Sequence, residues 1–223
     1  MNERGSAEPN TIYNEDCLET MQRMPDGSID LVCTDPPYGV SWQSNRRISK
    51  HEKIANDSNV DWLDDVYTEI YRVLKPDTIC VSFYGWPEVD RFMTAWKRAG
   101  FIPKSHLVWV KDNFGLGWFT RGQHEPAFLL AKGKPPKPAS AISDVLKFAG
   151  TGNELHPTQK PVGLIKKLIA TYSEPDAVVY DPFIGSGTTA RACKDLGRNY
   201  IGPEISKEYC DVAAGRLRQE VLL

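Results

Sequence analysis

The sequence has no apolar run approaching the roughly 18 residues that a bilayer-spanning helix needs. Its opening stretch, MNERGSAEPN, is polar and lacks the apolar segment of a secretory signal. Five cysteines (Cys17, Cys33, Cys80, Cys193 and Cys210) are scattered, odd in number and never in a CxxC spacing, which argues against a disulfide framework. Free, mostly buried thiols are expected instead, in a reducing compartment, so the expected localisation is cytoplasmic. The four histidines are isolated from one another, and no metal site is expected. A formal net charge of −2 excludes a global basic field and leaves only local basic faces for a polyanionic partner.

What is present suits one domain spanning residues 1–223, of which 41% are hydrophobic. Short apolar runs at 31–34, 79–84, 106–111, 127–132, 177–180 and 200–205 read as strands buried on both faces. Amphipathic stretches separate them. In DWLDDVYTEIYRVL, Trp62, Val66, Ile70 and Leu74 recur at helical spacing, and Pro76 lies just beyond. PEVDRFMTAWKRAG runs from a proline to Gly100; VGLIKKLIATYS and GTTARACKDLG, the latter closed by Gly197, complete the set. Alternating strands and helices imply an α/β fold with a doubly wound, mostly parallel sheet. The runs at 106–111 and 127–132 are too close for a helical crossover, which predicts an antiparallel hairpin at one edge. Segments 40–60 and 133–155 show little periodicity, and loops of that length are candidates for contacting a substrate.

Two motifs carry chemistry. DPFIGSGTTA (181–190) follows a strand and opens a helix, with Gly185 and Gly187 in the turn, where backbone can approach a ligand. The third glycine of a dinucleotide fingerprint is missing, which excludes a nicotinamide-type site. One helix later GRNYIGPEIS supplies a strand ending in Glu204, an acid able to accept hydrogen bonds from ribose hydroxyls. The other motif is TDPPYG (34–39). Asp35 stands at the carboxyl end of a strand, where open α/β sheets bind ligands. Pro36 and Pro37 have fixed φ and no N–H, and Tyr38 adds a flat ring. A carboxylate, a stiff carbonyl and a ring suit a planar group bearing an exocyclic NH₂.

TDPPYG, HPTQKPVGLIKKLI and DPFIGSGTT together resemble the β group of DNA amino-methyltransferases, in which the motif order is circularly permuted and the catalytic motif precedes the glycine turn. The resemblance runs from IYNEDCLETMQRMPDG to Glu204. It implies a Rossmann-like methyltransferase fold, S-adenosyl-L-methionine as cofactor and double-stranded DNA with a flipped target base as partner; a homodimer is left open. Catalysis falls to Asp35, Pro36, Pro37 and Tyr38. Cofactor binding falls to Asp16 and Cys17 in NEDCLE, Lys160 and Pro161 in the KP pair, Asp181, Phe183, Gly185, Gly187 and Thr188 around the turn, and Glu204. Pro203 departs from the pattern, since relatives more often carry an apolar Ile, Val or Phe there. Adenine N6 is the expected target, because cytosine N4 enzymes of this group more often carry Ser in place of Asp35. A cytosine N4 enzyme, an RNA or protein methyltransferase and a silent DNA-binding subunit are the rival readings.

The segment that usually reads the target sequence is short here, so a short or relaxed recognition sequence is expected. Arg46, Arg47, Lys50, Lys132, Lys134 and Lys137 are the candidate phosphate contacts. Trp42, Trp118 and Phe119 stand in polar or glycine-rich loops and are candidates for stacking on DNA. Trp62, Trp86, Trp96 and Trp109 are expected in the core or at a subunit contact, and His124 in a structural role. His156 is a candidate for shaping the mouth of the cofactor site.

Overall fold

The computed structural model describes residues 6–38, 62–115, 117–151 and 159–218. Strands are β1 (Thr11–Tyr13), β2 (Ile29–Thr34), β3 (Leu74–Phe83), β4 (Ile102–Val110), β5 (His124–Lys132), β6 (Val145–Lys147), β7 (Val178–Tyr180) and β8 (Asn199–Pro203). Helices are α1 (Cys17–Gln22), α2 (Leu63–Val73), α3 (Val89–Ala99), α4 (Val162–Tyr172), α5 (Thr188–Leu196) and α6 (Lys207–Arg218). The strands form one sheet in the order β1-β8-β7-β2-β3-β5-β4-β6. Pairing is parallel throughout except where β5 meets β3 and β4.

The expected hairpin is therefore present, but not at the outermost position. β6, three residues long, adds a parallel strand beyond β4. β1, β6 and α1 are short and lack the continuous apolar run that marks the equally short β7, so no pattern stands out in them. α6 also escapes such a reading, because only Cys210 and Ala213 are buried along it.

Alternation along the central strand builds two cores. Leu31 and Cys33 of β2 face one way, packing with Val81, Leu164, Leu168 and Cys193 beneath α4 and α5. Ile29 and Val32 face the other way, toward Val66, Tyr67, Ile70, Phe92 and Trp96 of α2 and α3. α2 starts with Asp64 and Asp65 in its first turn, favourable against the helix dipole, and passes directly into β3 at Leu74. α3 closes on Gly100 at φ 103°, where a side chain is disfavoured. Trp96 and Trp109 are core residues as expected, but Trp86 is 77% exposed. The five cysteines are free and buried, and burial pushes the Cys17 thiol up to about 12.

Because β5 runs against β3, its last residue lies at the amino end of the sheet, where Lys132 pairs with Thr78. There the Lys132 ammonium donates to the carbonyls of Tyr71 and Leu74, both at 2.6 Å, closing the end of α2. Replacing Lys132 by Met leaves those carbonyls without their charged donor. The expected loss is about 1–3 kcal/mol of stability, read by urea unfolding.

Candidate active site

Parallel pairing brings the carboxyl ends of β1, β8, β7, β2 and β3 to one edge of the sheet. β7 and β2 are neighbours, in register Leu31 with Val179 and Val32 with Tyr180. The segments that follow them, DPPY and DPFIGSG, therefore leave the sheet side by side. This is the crevice position at which open α/β sheets hold ligands.

The turn after β7 is stapled from within. Gly185 and Gly187 have φ of 51° and 78°, and a Cβ on Gly187 would come within 2.8 Å of the Ala213 side chain. Asp181 accepts from the Phe183 N–H at 3.1 Å and from the Thr189 hydroxyl at 2.6 Å. Burial pushes its carboxyl up to about 7 against those two hydrogen bonds. Glu204 accepts from the Gly185 N–H at 3.1 Å and the Ser206 N–H at 2.8 Å. Its N–H donates to the Tyr13 carbonyl at 2.9 Å, so β1 and β8 stay joined past Pro203. The proline is the last residue of β8, where its missing donor leaves the placement of Glu204 intact.

β1 delivers the second acid. Asp16 caps α1, one oxygen accepting from the Leu18 N–H at 2.8 Å, and Asn14 ties this segment to the Glu204 and Ile205 carbonyls. Cys17 is buried behind it, its carbonyl accepting from the Tyr180 hydroxyl. Phe183 packs on Trp62 with ring centroids 5.2 Å apart, so Trp62 belongs to the wall of this site. Thr188 is buried and its hydroxyl accepts from Arg216 at 3.0 Å, turning it toward α6.

The other half of the crevice is a charge cluster centred on the buried Lys160. Tyr38 donates its hydroxyl to Asp35 Oδ1 at 2.5 Å. The Lys160 ammonium pairs with Asp35 Oδ2, and with Glu125 Oε2 at 2.9 Å; Lys111 pairs with the other Glu125 oxygen. Lys160 is only 4% exposed. Its ammonium also lies 5.0 Å from the centre of the Phe83 ring. Burial raises the Asp35 carboxyl above the ordinary range, with Lys160 opposing. Burial would likewise lift Glu125, but Lys160 and Lys111 outweigh it and hold that carboxyl at about 2. Lys160, drawn by two carboxylates, is held above its usual value despite its own desolvation. Gly85 leaves the room for Tyr38, since an added Cβ would come 2.7 Å from the tyrosine Cβ.

Asp16, Cys17, Asp35, Pro36, Pro37, Tyr38, Lys160, Pro161, Asp181, Phe183, Gly185, Gly187 and Glu204 thus gather at one edge of the sheet. The Lys160 ammonium, from the KP pair expected beside the cofactor, reaches the Asp35 carboxylate. Glu125, Lys111 and Gly85 were not legible as site residues. His124, expected to be structural, is exposed at the start of β5.

The candidate phosphate contacts on and after β5 lie away from Asp35. Lys132 is engaged by α2, and the Lys134 N–H donates to Asp77 at the same amino end of the sheet. Lys137 lines a groove of about 710 Å³ there with Asp30, Lys167 and Asp176. All three lie at the end of the sheet opposite Asp35, because β5 carries the chain away from the crevice. Arg46, Arg47, Lys50, Trp42 and His156 lie outside the described residues. Trp118 and Phe119, 95% and 98% exposed, follow the carboxyl end of β4 on the crevice side.

Comparison with known proteins agrees with this geometry. Residues 29–149 and 139–215 match the family model N6_N4_Mtase, described as DNA methylase. Over 202 residues the chain is 43% identical to YubD of Escherichia coli K12, a protein named as a methylase, covering 91% of this chain and 87% of that one. It is 30% identical over 250 residues to the type II methyltransferase M.BglII of Bacillus subtilis, covering 92% and 68%. The structure of M1.HpyAVI in complex with SAM superposes with a TM-score of 0.72 at 28% identity, covering 94% of this chain and 99% of that one.

The raised Asp181 carboxyl makes stability depend on pH in a definite direction. Between the ordinary carboxylate value of 3.8 and about 7, the folded protein binds a proton at Asp181 that the unfolded chain does not. This contribution is present below 3.8 and is lost as pH rises through about 7. Asp181→Asn keeps an acceptor for the Phe183 N–H and cannot ionise. Urea unfolding of both proteins at about pH 5 and pH 8 should show the wild type losing stability relative to Asp181→Asn at the higher pH.

Proposed function

The chain belongs to the N6/N4 family of DNA methylases, and from that premise we propose that it methylates adenine at N6 in double-stranded DNA, with S-adenosyl-L-methionine as methyl donor. The carrying observation is the Asp35 carboxylate at the end of β2, beside the glycine turn that follows β7. The residues of the crevice fit the donor. Glu204 and Asp16 supply acids for its polar groups, Phe183 an aromatic wall, and Gly185 and Gly187 a turn with no side chain in the way. Bound there, the donor supplies an electrophilic methyl group.

The chain's own residues must make a poor nucleophile attack. An aromatic amine has its lone pair delocalised into the ring. Asp35 accepts one N–H and the Pro36 carbonyl the other, which favours a pyramidal nitrogen and stabilises positive charge as it develops. Proline gives that carbonyl a fixed direction. Orientation supplies much of the remaining acceleration. The target nucleotide has to leave the duplex, at a cost of a few kcal/mol, and stacking on Tyr38 returns about 1–3 kcal/mol of it. Trp118 and Phe119 offer further aromatic faces on the crevice side. Adenine is favoured by the aspartate at position 35, where cytosine enzymes of this group more often have serine.

Between β5 and the HPTQKP segment only about two dozen residues are available for reading sequence, too few to deliver many side chains to groove edges. Sequencing of DNA exposed to the enzyme should return a recognition motif shorter than six base pairs. Mass spectrometry of the digested nucleosides should yield N6-methyladenine; N4-methylcytosine would establish the cytosine reading instead. Replacing Asp35 by Asn should lower the single-turnover rate of tritiated methyl transfer by about 100- to 1000-fold or more. A rate near wild type would refute the assignment, and a melting temperature within a few degrees of wild type would exclude unfolding as the cause.

A further inference from the structure

Three charged side chains, the buried Lys160 and the partly exposed Glu125 and Lys111, are linked in a chain to Asp35, and the methyl-transfer reading uses none of them. Lys160, Glu125 and Lys111 come from the approach to α4, the start of β5 and the end of β4. Burying ions costs several kcal/mol each, and such clusters are a weak source of stability. Their position supplies another reason. Lys160 occupies Oδ2 of Asp35, leaving Oδ1 as the oxygen that faces away from the lysine. In the resting protein Oδ1 is taken by the Tyr38 hydroxyl, a donor that can be exchanged for an amine N–H.

We propose that Glu125 and Lys160 are positioning residues, a buried clamp that fixes the Asp35 carboxylate, reserves its Oδ1 for the target amine and sets its proton affinity. The proposal rests on the methyl-transfer reading for what the amine is. The clamp itself rests on the contacts. Lys160 is nearly inaccessible, and its ammonium is held by Glu125 on one side and by the Phe83 ring on another, so it cannot follow solvent. Glu125 is in turn tied by Lys111. With two lysines and two carboxylates the cluster is neutral when all four are ionised, so Asp35 carries its negative charge without an uncompensated buried ion. Other titratable groups facing Asp35 are the Tyr38 hydroxyl and, more distantly, Asp181, the Cys33 thiol and the Tyr67 hydroxyl.

The two members of the clamp act on Asp35 with opposite sign, and that is the test. Removing the negative charge of Glu125 lowers the proton affinity of Asp35; removing the positive charge of Lys160 raises it. The acidic limb of the single-turnover rate should therefore move down by about one pH unit in Glu125→Gln and up by about one in Lys160→Met. The second readout needs neither donor nor DNA. Carbon-13 NMR titration of the Asp35 carboxyl, assigned by its loss in Asp35→Asn, should show the same opposed displacements in the free protein. If Lys160→Met does not fold, the downward displacement in Glu125→Gln decides alone. A titration that does not move in Glu125→Gln, or moves up, overturns the clamp even if methylation proceeds. Opposed displacements in a protein that methylates no DNA would instead sink the reaction assigned above and leave the clamp standing.

Discussion

The Lys160 ammonium is the point on which the crevice depends. It is shared by carboxylates from two segments far apart in sequence, one following β2 and one opening β5, and it stands just before α4. An ammonium buried this deeply is tolerable only with paired, well-placed acceptors. The same requirement works in reverse, because Asp35 and Glu125 would repel each other without it. The cluster therefore demands that three segments arrive together, and it holds the catalytic motif at a fixed distance from the sheet. Tyr38 is fitted into this arrangement by the absence of a side chain at Gly85.

The permuted motif order is a matter of sheet topology. β7 inserts beside β2, although the two are separated by most of the chain. The DPPY segment and the glycine turn thus sit at adjacent strand ends whichever comes first in sequence. β1 and β8 extend the same edge, adding Asp16 and Glu204. A parallel sheet gathers every strand's carboxyl end on one side, so five short segments supply one crevice without long excursions.

Much of this was legible because the residues concerned obey strong local rules. Glycines at 185 and 187 take positive φ, and prolines at 36 and 37 fix the chain after a buried strand. The central strands and α2 to α5 were readable from periodicity. What escaped was either short or non-local. β1 and β6 have three residues each, without the continuous apolar run that gave β7 away. The side chain of Lys160 could be placed near the site by motif, but which atom it reaches depends on Glu125, whose position follows from strand direction alone. Trp86 is exposed rather than in the core of the chain because it begins the short turn after β3.

One strand direction accounts for both the misplaced lysines and the missed glutamate. β5 pairs antiparallel with β3 in a register that sets Phe83 opposite Ala127 and Thr78 opposite Lys132. Its first residues therefore stand at the crevice edge and its last at the far one, Lys132 being about 24 Å from Glu125 at ~3.4 Å per residue. The far edge is built for cohesion. Arg72 donates to the Met21 and Met24 carbonyls, and Asp30 joins Lys75 to the Val178 N–H. A lysine arriving there meets the open carbonyls at the end of α2 and becomes a cap. An acid arriving at the opposite edge meets Lys160 and Lys111. Charge type alone does not separate these roles; the hairpin already implied by the short spacing between β4 and β5 does, since it fixes which end of β5 faces the reaction.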